Sequence, residues 1–211
     1  MKKKQSLRIF RTQLLSLPLI LSCFFILPKA VAGIGIQKPA PEFSVKNTKG
    51  EVVNLKDFKG KTVVLEWTND QCPYVVKHYG SGNMQALQSK YTDKGIVWLS
   101  LISSAKGKQG HVTPEQANEL TTKRSAKPSH VLLDESGKTG KLYGARTTPH
   151  MYIIDENGVL QYAGGIDSIK SADPKDIPKA TNYVAQALDE MLAGKAVSQP
   201  ASTPYGCSIK Y

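Results

Sequence analysis

Cysteine is scarce in this sequence. There are three in 211 residues, at positions 23, 72 and 207, too few for the dense disulfide framework of a small secreted scaffold. No two form a C-x-x-C pair, since Val75 fills the slot three residues after Cys72. The histidines, His78, His111, His130 and His150, stand in no ligand spacing with one another or with a cysteine, so no metal is expected. Lys106-Gly107-Lys108-Gln109-Gly110 lacks the spacing and the trailing Lys-Ser/Thr of a phosphate loop. Internal repeats and long linkers are also missing, which leaves one domain as the simplest organisation.

Acidic residues are absent from the first 32 positions, which carry six basic side chains. The remainder holds 22 basic against 17 acidic, a net of +5. That is a mildly basic surface, and no nucleic-acid partner is expected. The first 32 residues read as an export signal. Lys2, Lys3, Lys4, Arg8 and Arg11 form the positive region, Leu14 to Leu27 the apolar region, and Ala30-Val31-Ala32 a small-residue cleavage site. The apolar run falls short of the about 20 residues that span a bilayer, so contact with membrane is expected only through this signal. Ile20-Leu21-Ser22-Cys23 is a loose lipobox, but Phe24 to Leu27 continue the apolar run past it. Cys23 is therefore expected to leave with the signal.

The chain divides into residues 1–32 as signal, 33–194 as a folded domain and 195–211 as a tail. Phe43-Ser44-Val45 and Val52 to Leu55 read as strands around the turn Asn47 to Gly50. Thr62 to Trp67 (TVVLEW) and Ile96 to Ile102 (IVWLSLI) read as buried strands. Pro73 suits a helix start, and helical character runs to about Tyr91 with a break at Gly80-Ser81-Gly82. Thr113-Pro114-Glu115-Gln116 predicts another helix start, with Gln116 in the capping-box position. Val131 to Leu133 is a strand and Lys138 to Tyr143 a short helix; Met151 to Ile154 and Val159 to Tyr162 form a hairpin. A helix is expected over Pro178 to Leu192, ended by Gly194. The tail has no periodicity, yet it closes on Tyr205-Gly206-Cys207-Ser208-Ile209, a composition unlike that of a disordered end. Strands alternating with helices make an α/β layer domain.

Two residues stand out chemically. Cys72 lies where a strand gives way to a helix, and unpaired N–H groups with the positive end of the helix dipole favour thiolate there. A buried structural cysteine is the alternative. Glu66 interrupts an apolar strand, so it must be paired, protonated or facing a cavity.

The order of TVVLEW, Asn69 to Val75 (N-x-x-C-P-Y-V), Gly144 to Pro149 (GARTTP), Met151 to Gly158 and the terminal Gly206 to Lys210 resembles the thioredoxin-like redoxin superfamily. Within it, the chain resembles exported peroxiredoxin-like proteins of the alkyl hydroperoxide reductase/thiol-specific antioxidant family. The resemblance implies a thioredoxin-like fold: a central mixed sheet flanked by helices, with an N-terminal β extension. It implies an exported, periplasmic or extracytoplasmic thiol oxidoreductase, in the first place a peroxiredoxin-like antioxidant, with no cofactor, a peroxide or protein disulfide as substrate and an external thiol as reductant. Cys72 would be the nucleophile, and the second thiol would be Cys207. Pro149 would be a cis-proline facing Cys72, with Thr148 as a substrate contact. Arg146 could supply positive charge near the thiolate, but strand alternation could equally aim it at solvent. Glu66 sits six residues before Cys72, as the buried acid does in thioredoxin, and could move a proton to or from the sulfurs; a strand-end carboxylate bonded to lysine is the other reading. Leu65 and Asn69 occupy the positions of the peroxiredoxin pocket's Pro and Thr/Ser, a departure from that pattern. A disulfide reductase or isomerase without peroxidase activity therefore stays open, as does a non-enzymatic module stapled by Cys72 and Cys207. N-terminal sequencing of exported protein is expected to begin at Gly33; a chain still starting at Met1 would show an uncleaved anchor.

Overall fold

The computed structural model describes residues 34–211. The export signal expected over residues 1–32, with Cys23, lies outside the described residues. A five-stranded mixed sheet forms the centre, in the order β5 (His130–Leu133), β4 (Val97–Ile102), β3 (Val63–Trp67), β7 (His150–Ile154), β8 (Leu160–Gly164). β3 pairs in parallel with β4, and β4 with β5; β7 runs antiparallel to both β3 and β8. This is the thioredoxin-like arrangement. β3 sits in the middle because its five residues are all buried, and a strand covered on both faces must be a near-continuous apolar run.

The two faces divide by strand alternation. Val63, Leu65 and Trp67 pack on one side with Leu99, Leu101, Tyr152 and Ile154. Covering them are the N-terminal hairpin β1 (Ser44–Lys46) and β2 (Val52–Asn54), through Val45 and Val53, and α4 (Lys138–Leu142), through Leu142. Val64, Trp98, Met151 and Ile153 face the other side. There they meet α1 (Pro73–Gly80), α2 (Asn83–Thr92) and α5 (Tyr183–Leu192). Each fully buried large apolar side chain adds about 1.5–3 kcal/mol, so the strands that carry the site rest on a thick core.

The break between α1 and α2 falls at Gly82, whose φ of 77° suits glycine. α3 (Pro114–Lys123) opens with the expected capping box: Thr113 accepts from the Gln116 amide, and Gln116 from the Thr113 amide. One boundary needs correction. The last helix begins at Tyr183 rather than Pro178, because residues Pro174–Lys179 form a separate 3-10 turn that contains Pro178. Asn182 then caps α5 by accepting from the Ala185 amide at 2.9 Å.

The tail returns across the domain. The Ala163 amide donates to Pro200 and the Ser202 amide to Ala163, which lays the segment along β8. Cys207–Ser208 form β9, paired antiparallel with β6 (Thr147–Thr148). The Ile209 amide donates to Arg146 O at 3.0 Å, and Tyr211 Oη to Ala145 O at 2.7 Å. Sequence reasoning found no periodicity in this segment; its pairings join residues far apart in the chain, and no local pattern announces them.

Candidate active site

The loop after β3 delivers Cys72. The Thr68 amide still pairs with Leu101 O at 3.0 Å, so the sheet ends one residue before the loop. Asn69 then folds the chain: its Oδ1 accepts from the Gln71 amide at 2.9 Å, and its carbonyl from the Cys72 amide at 3.1 Å. Gly110 backs this turn; a Cβ there would overlap the Asn69 amide, and its φ of 83° is left-handed. Cys72 is the N-cap of α1, with an extended backbone (φ −83°, ψ 121°) and Pro73 at the first helical position. Proline suits that place because its missing N–H has no partner to lose.

Cys72 is fully buried. Its Sγ–H donates to Thr148 O at 3.0 Å, and the Cys207 amide donates to Sγ at 3.4 Å. The Thr148–Pro149 peptide is cis, and Thr148 is the register partner of Cys207. The sequence-selected residues Cys72, Thr148, Pro149 and Cys207 thus meet at one point. Among the described residues the two cysteines, Cys72 and Cys207, are free, and the tail is docked with no bond between them, held by backbone pairing and tyrosines. The backbone edge before Pro149, where the family resemblance places a bound substrate, is taken by the chain's own tail. Gly206 makes the fit close: a Cβ on it would overlap the Thr148 carbonyl, and its φ is 134°.

The two thiols are electrostatically unequal. Burial would raise the Cys72 pKa, but hydrogen bonds from the Cys207 thiol, the Thr148 hydroxyl and the amides of Cys207 and Val75 outweigh it, and the net shift is downward. Burial and the neighbouring Cys72 push Cys207 up to about 11. Of the two, Cys72 is the readier to ionise and Cys207 holds its proton the longer.

Glu66 is completely buried on the helical face of β3, which it shares with Val64. Its carboxylate accepts from Tyr79 Oη (2.8 Å), Trp98 Nε1 (2.8 Å), Ser100 Oγ (3.0 Å) and Gln88 Nε2 (3.2 Å). None of the four is a sulfur, so a proton passing between Glu66 and Cys72 needs an intermediary. Burial raises its pKa against those four donors. Arg146 is exposed. What the site uses of it is its backbone carbonyl, which accepts from the Ile209 amide, and no hydrogen bond or ion pair joins its guanidinium to Cys72 among the described residues.

Sequence reasoning missed Lys77, His78, Asp167 and Tyr205, a buried polar group that joins α1 to the tail. His78 had a signal: it falls with Val75 and Tyr79 on the i, i+3, i+4 face that meets the core. Asp167 follows Gly164-Gly165-Ile166 in an irregular stretch, and nothing local marks it. Among the described residues no cluster of potential ligands could hold a metal ion.

Two measurements check this electrostatic picture. Cysteine-selective 13C NMR should give Cys72 a midpoint below the ordinary thiol value and Cys207 one near 11; in Cys72→Ser the Cys207 midpoint should fall, since a neighbouring sulfur charge is gone. Glu66 has a raised folded pKa, so its stabilising contribution is complete below its unfolded value of about 4.5 and is lost as pH rises through the folded value. Denaturant unfolding should therefore show Glu66→Gln gaining on the wild type as pH increases. Glu66→Leu, which leaves the Tyr79, Trp98 and Ser100 donors unpaired at about 1–3 kcal/mol each while Gln88 Nε2 keeps Tyr79 Oη, should be much less stable at every pH.

Comparison with known proteins agrees with this geometry. Residues 36–163 match the AhpC/TSA family model. The chain is 31% identical over 131 residues to the thioredoxin-like protein YneN of Bacillus subtilis, covering 61% of this chain and 71% of that one. It is 29% identical over 141 residues to the thiol-disulfide oxidoreductase ResA of Bacillus thuringiensis, covering 67% and 73%. The crystal structure of an uncharacterized conserved protein from Geobacillus kaustophilus superposes with a TM-score of 0.74 at 28% identity, covering 84% and 92%. With its family model spanning the mixed sheet and the cysteine at the head of α1, the chain is a thiol-based oxidoreductase and belongs to the AhpC/TSA family.

Proposed function

We propose that this chain is an exported, two-cysteine thiol–disulfide oxidoreductase in which Cys72 attacks and Cys207 resolves. The observation that carries the reading is the Cys207 amide at 3.4 Å from Cys72 Sγ, on a strand paired with Thr148. The Cys72 thiolate attacks one sulfur of a substrate disulfide; a new S–S bond forms, the substrate's own S–S bond breaks, and one thiolate leaves. Cys207 then loses its proton and attacks the Cys72 sulfur, which releases the second substrate thiolate and leaves a Cys72–Cys207 disulfide. An external thiol reductant returns the pair to thiols. Thr148 and the chain direction set by Pro149 orient the incoming sulfur. The surroundings of Cys72 favour a disulfide over a peroxide: they are a strand carbonyl, a strand amide and a second thiol, and Arg146 is exposed. Export is supported by the charged, apolar and small-residue order of residues 1–32.

A peroxidase reading is favoured by the lowered Cys72 pKa and the matching family model. Cys72 thiolate would take one peroxide oxygen to become a sulfenic acid, with the other leaving as alcohol or water, and Cys207 would condense with it and release water.

Reduced protein treated with one equivalent of a peptide disulfide should give an intramolecular Cys72–Cys207 crosslink on peptide mapping. The same map after hydrogen peroxide should form more slowly. Faster oxidation by peroxide would promote the second reading. Two free thiols, or only intermolecular dimers, would mean that Cys72 draws its partner from another protein.

A further inference from the structure

The pairing that places Cys207 is too short to set its own register. β6 and β9 share two residue pairs, Thr147 with Ser208 and Thr148 with Cys207. A slip of one residue in a strand turns every side chain to the opposite face, and here it would bring Gly206 or Ser208 to Cys72 in place of the thiol. Something outside the ladder must fix the alignment.

Tyr205 is placed to do so. It lies two residues before Cys207, and the residue between is the glycine pressed against Thr148 O. Its ring is buried and meets Tyr74 edge-on, with centroids 5.8 Å apart. Its hydroxyl donates a hydrogen bond to Asp167 Oδ1. Asp167 is 4% exposed, and its other oxygen lies 3.4 Å from Lys77 Nζ and 3.7 Å from His78 Nε2. Lys77 also donates to Ile169 O at 3.3 Å, and the Asn83 amide pairs with His78 Nδ1 at 2.9 Å. Every member of this cluster except Tyr205 belongs to the body of the domain. A buried Lys–Asp pair is a poor device for stability, because removing two charges from water offsets most of their attraction. Its best-attested use is to fix which of several packings forms.

We propose that Tyr205 and Asp167 are positioning residues that set the register of the tail, holding it shut over Cys72 before attack and bringing Cys207 back to the Cys72 sulfur afterwards. The proposal rests on the reading of Cys207 as the resolving thiol. The latch opposes the first step and favours the second: it must open for an external sulfur to reach Cys72, and it must close for Cys207 to displace the bound group. Loosening it therefore moves the two rates in opposite directions. A residue that only fills the core moves both the same way.

An aromatic disulfide, 5,5′-dithiobis(2-nitrobenzoate), separates the steps. Attack by Cys72 releases one equivalent of the coloured thiolate and leaves a mixed disulfide; attack by Cys207 on that disulfide releases the second and closes the internal bond. In Tyr205→Phe, which keeps the ring and loses the hydroxyl, the first release should be as fast as wild type or faster. The second should slow by about tenfold or more, the scale of one hydrogen bond to a charged group. Hydrogen exchange supplies a second readout: the Cys207 and Ile209 amides should exchange faster in the variant while those of β3 and β4 keep wild-type rates. Two unchanged phases, or two phases slowed together with faster exchange in β3 and β4, would overturn the proposal. If wild-type protein ends with two bound thionitrobenzoate groups in place of an internal disulfide, the resolving role of Cys207 has failed instead.

Discussion

One sulfur organises this molecule. Cys72 Sγ is bonded at once to Thr148 O and to the Cys207 amide, so the head of α1, the cis-proline turn and the end of the chain are fixed relative to a single atom. Most of the architecture serves that meeting. The buried β3 supplies a rigid origin, Asn69 turns the chain into the helix, and β7 holds Pro149 beside it. The apolar layers on both sheet faces give these few polar contacts a closely packed frame.

The tail is the unusual component. Its residues after Lys195 form no helix and only a two-residue strand, yet they are fastened along their length: at Ser202 to Gly165 and Tyr162, at Tyr205 to Asp167, at Ile209 to Arg146, at Lys210 to Ala105 and at Tyr211 to Ala145.

The sequence was most informative where chemistry and local pattern coincide. The β-branched run of TVVLEW marked the central strand, and the cysteine before Pro73 marked the helix head. Glu66 was singled out because a carboxylate in such a strand demands partners, and it has four. The start of the last helix was misplaced because a proline satisfies a 3-10 turn as well as an α-helix, while the cap at Asn182 was passed over. The tail's pairing and the Lys77–Asp167 contact were illegible for another reason. They join residues 59 and 90 positions apart, and a side chain's burial by distant chain leaves no trace in its neighbours.

The docking of Cys207 while both sulfurs are thiols also bears on the direction of electron flow. Reduced and oxidised proteins would share the same strand pairing, so closing the S–S bond would reorganise little. In the proposed cycle, a thiol already held beside its partner would act at a high effective concentration, which would deepen the preference for the internal disulfide and lower the reduction potential of the pair. Such a couple would give up electrons readily and accept them reluctantly, and the harder task, recharging the cysteines, would fall to the external donor.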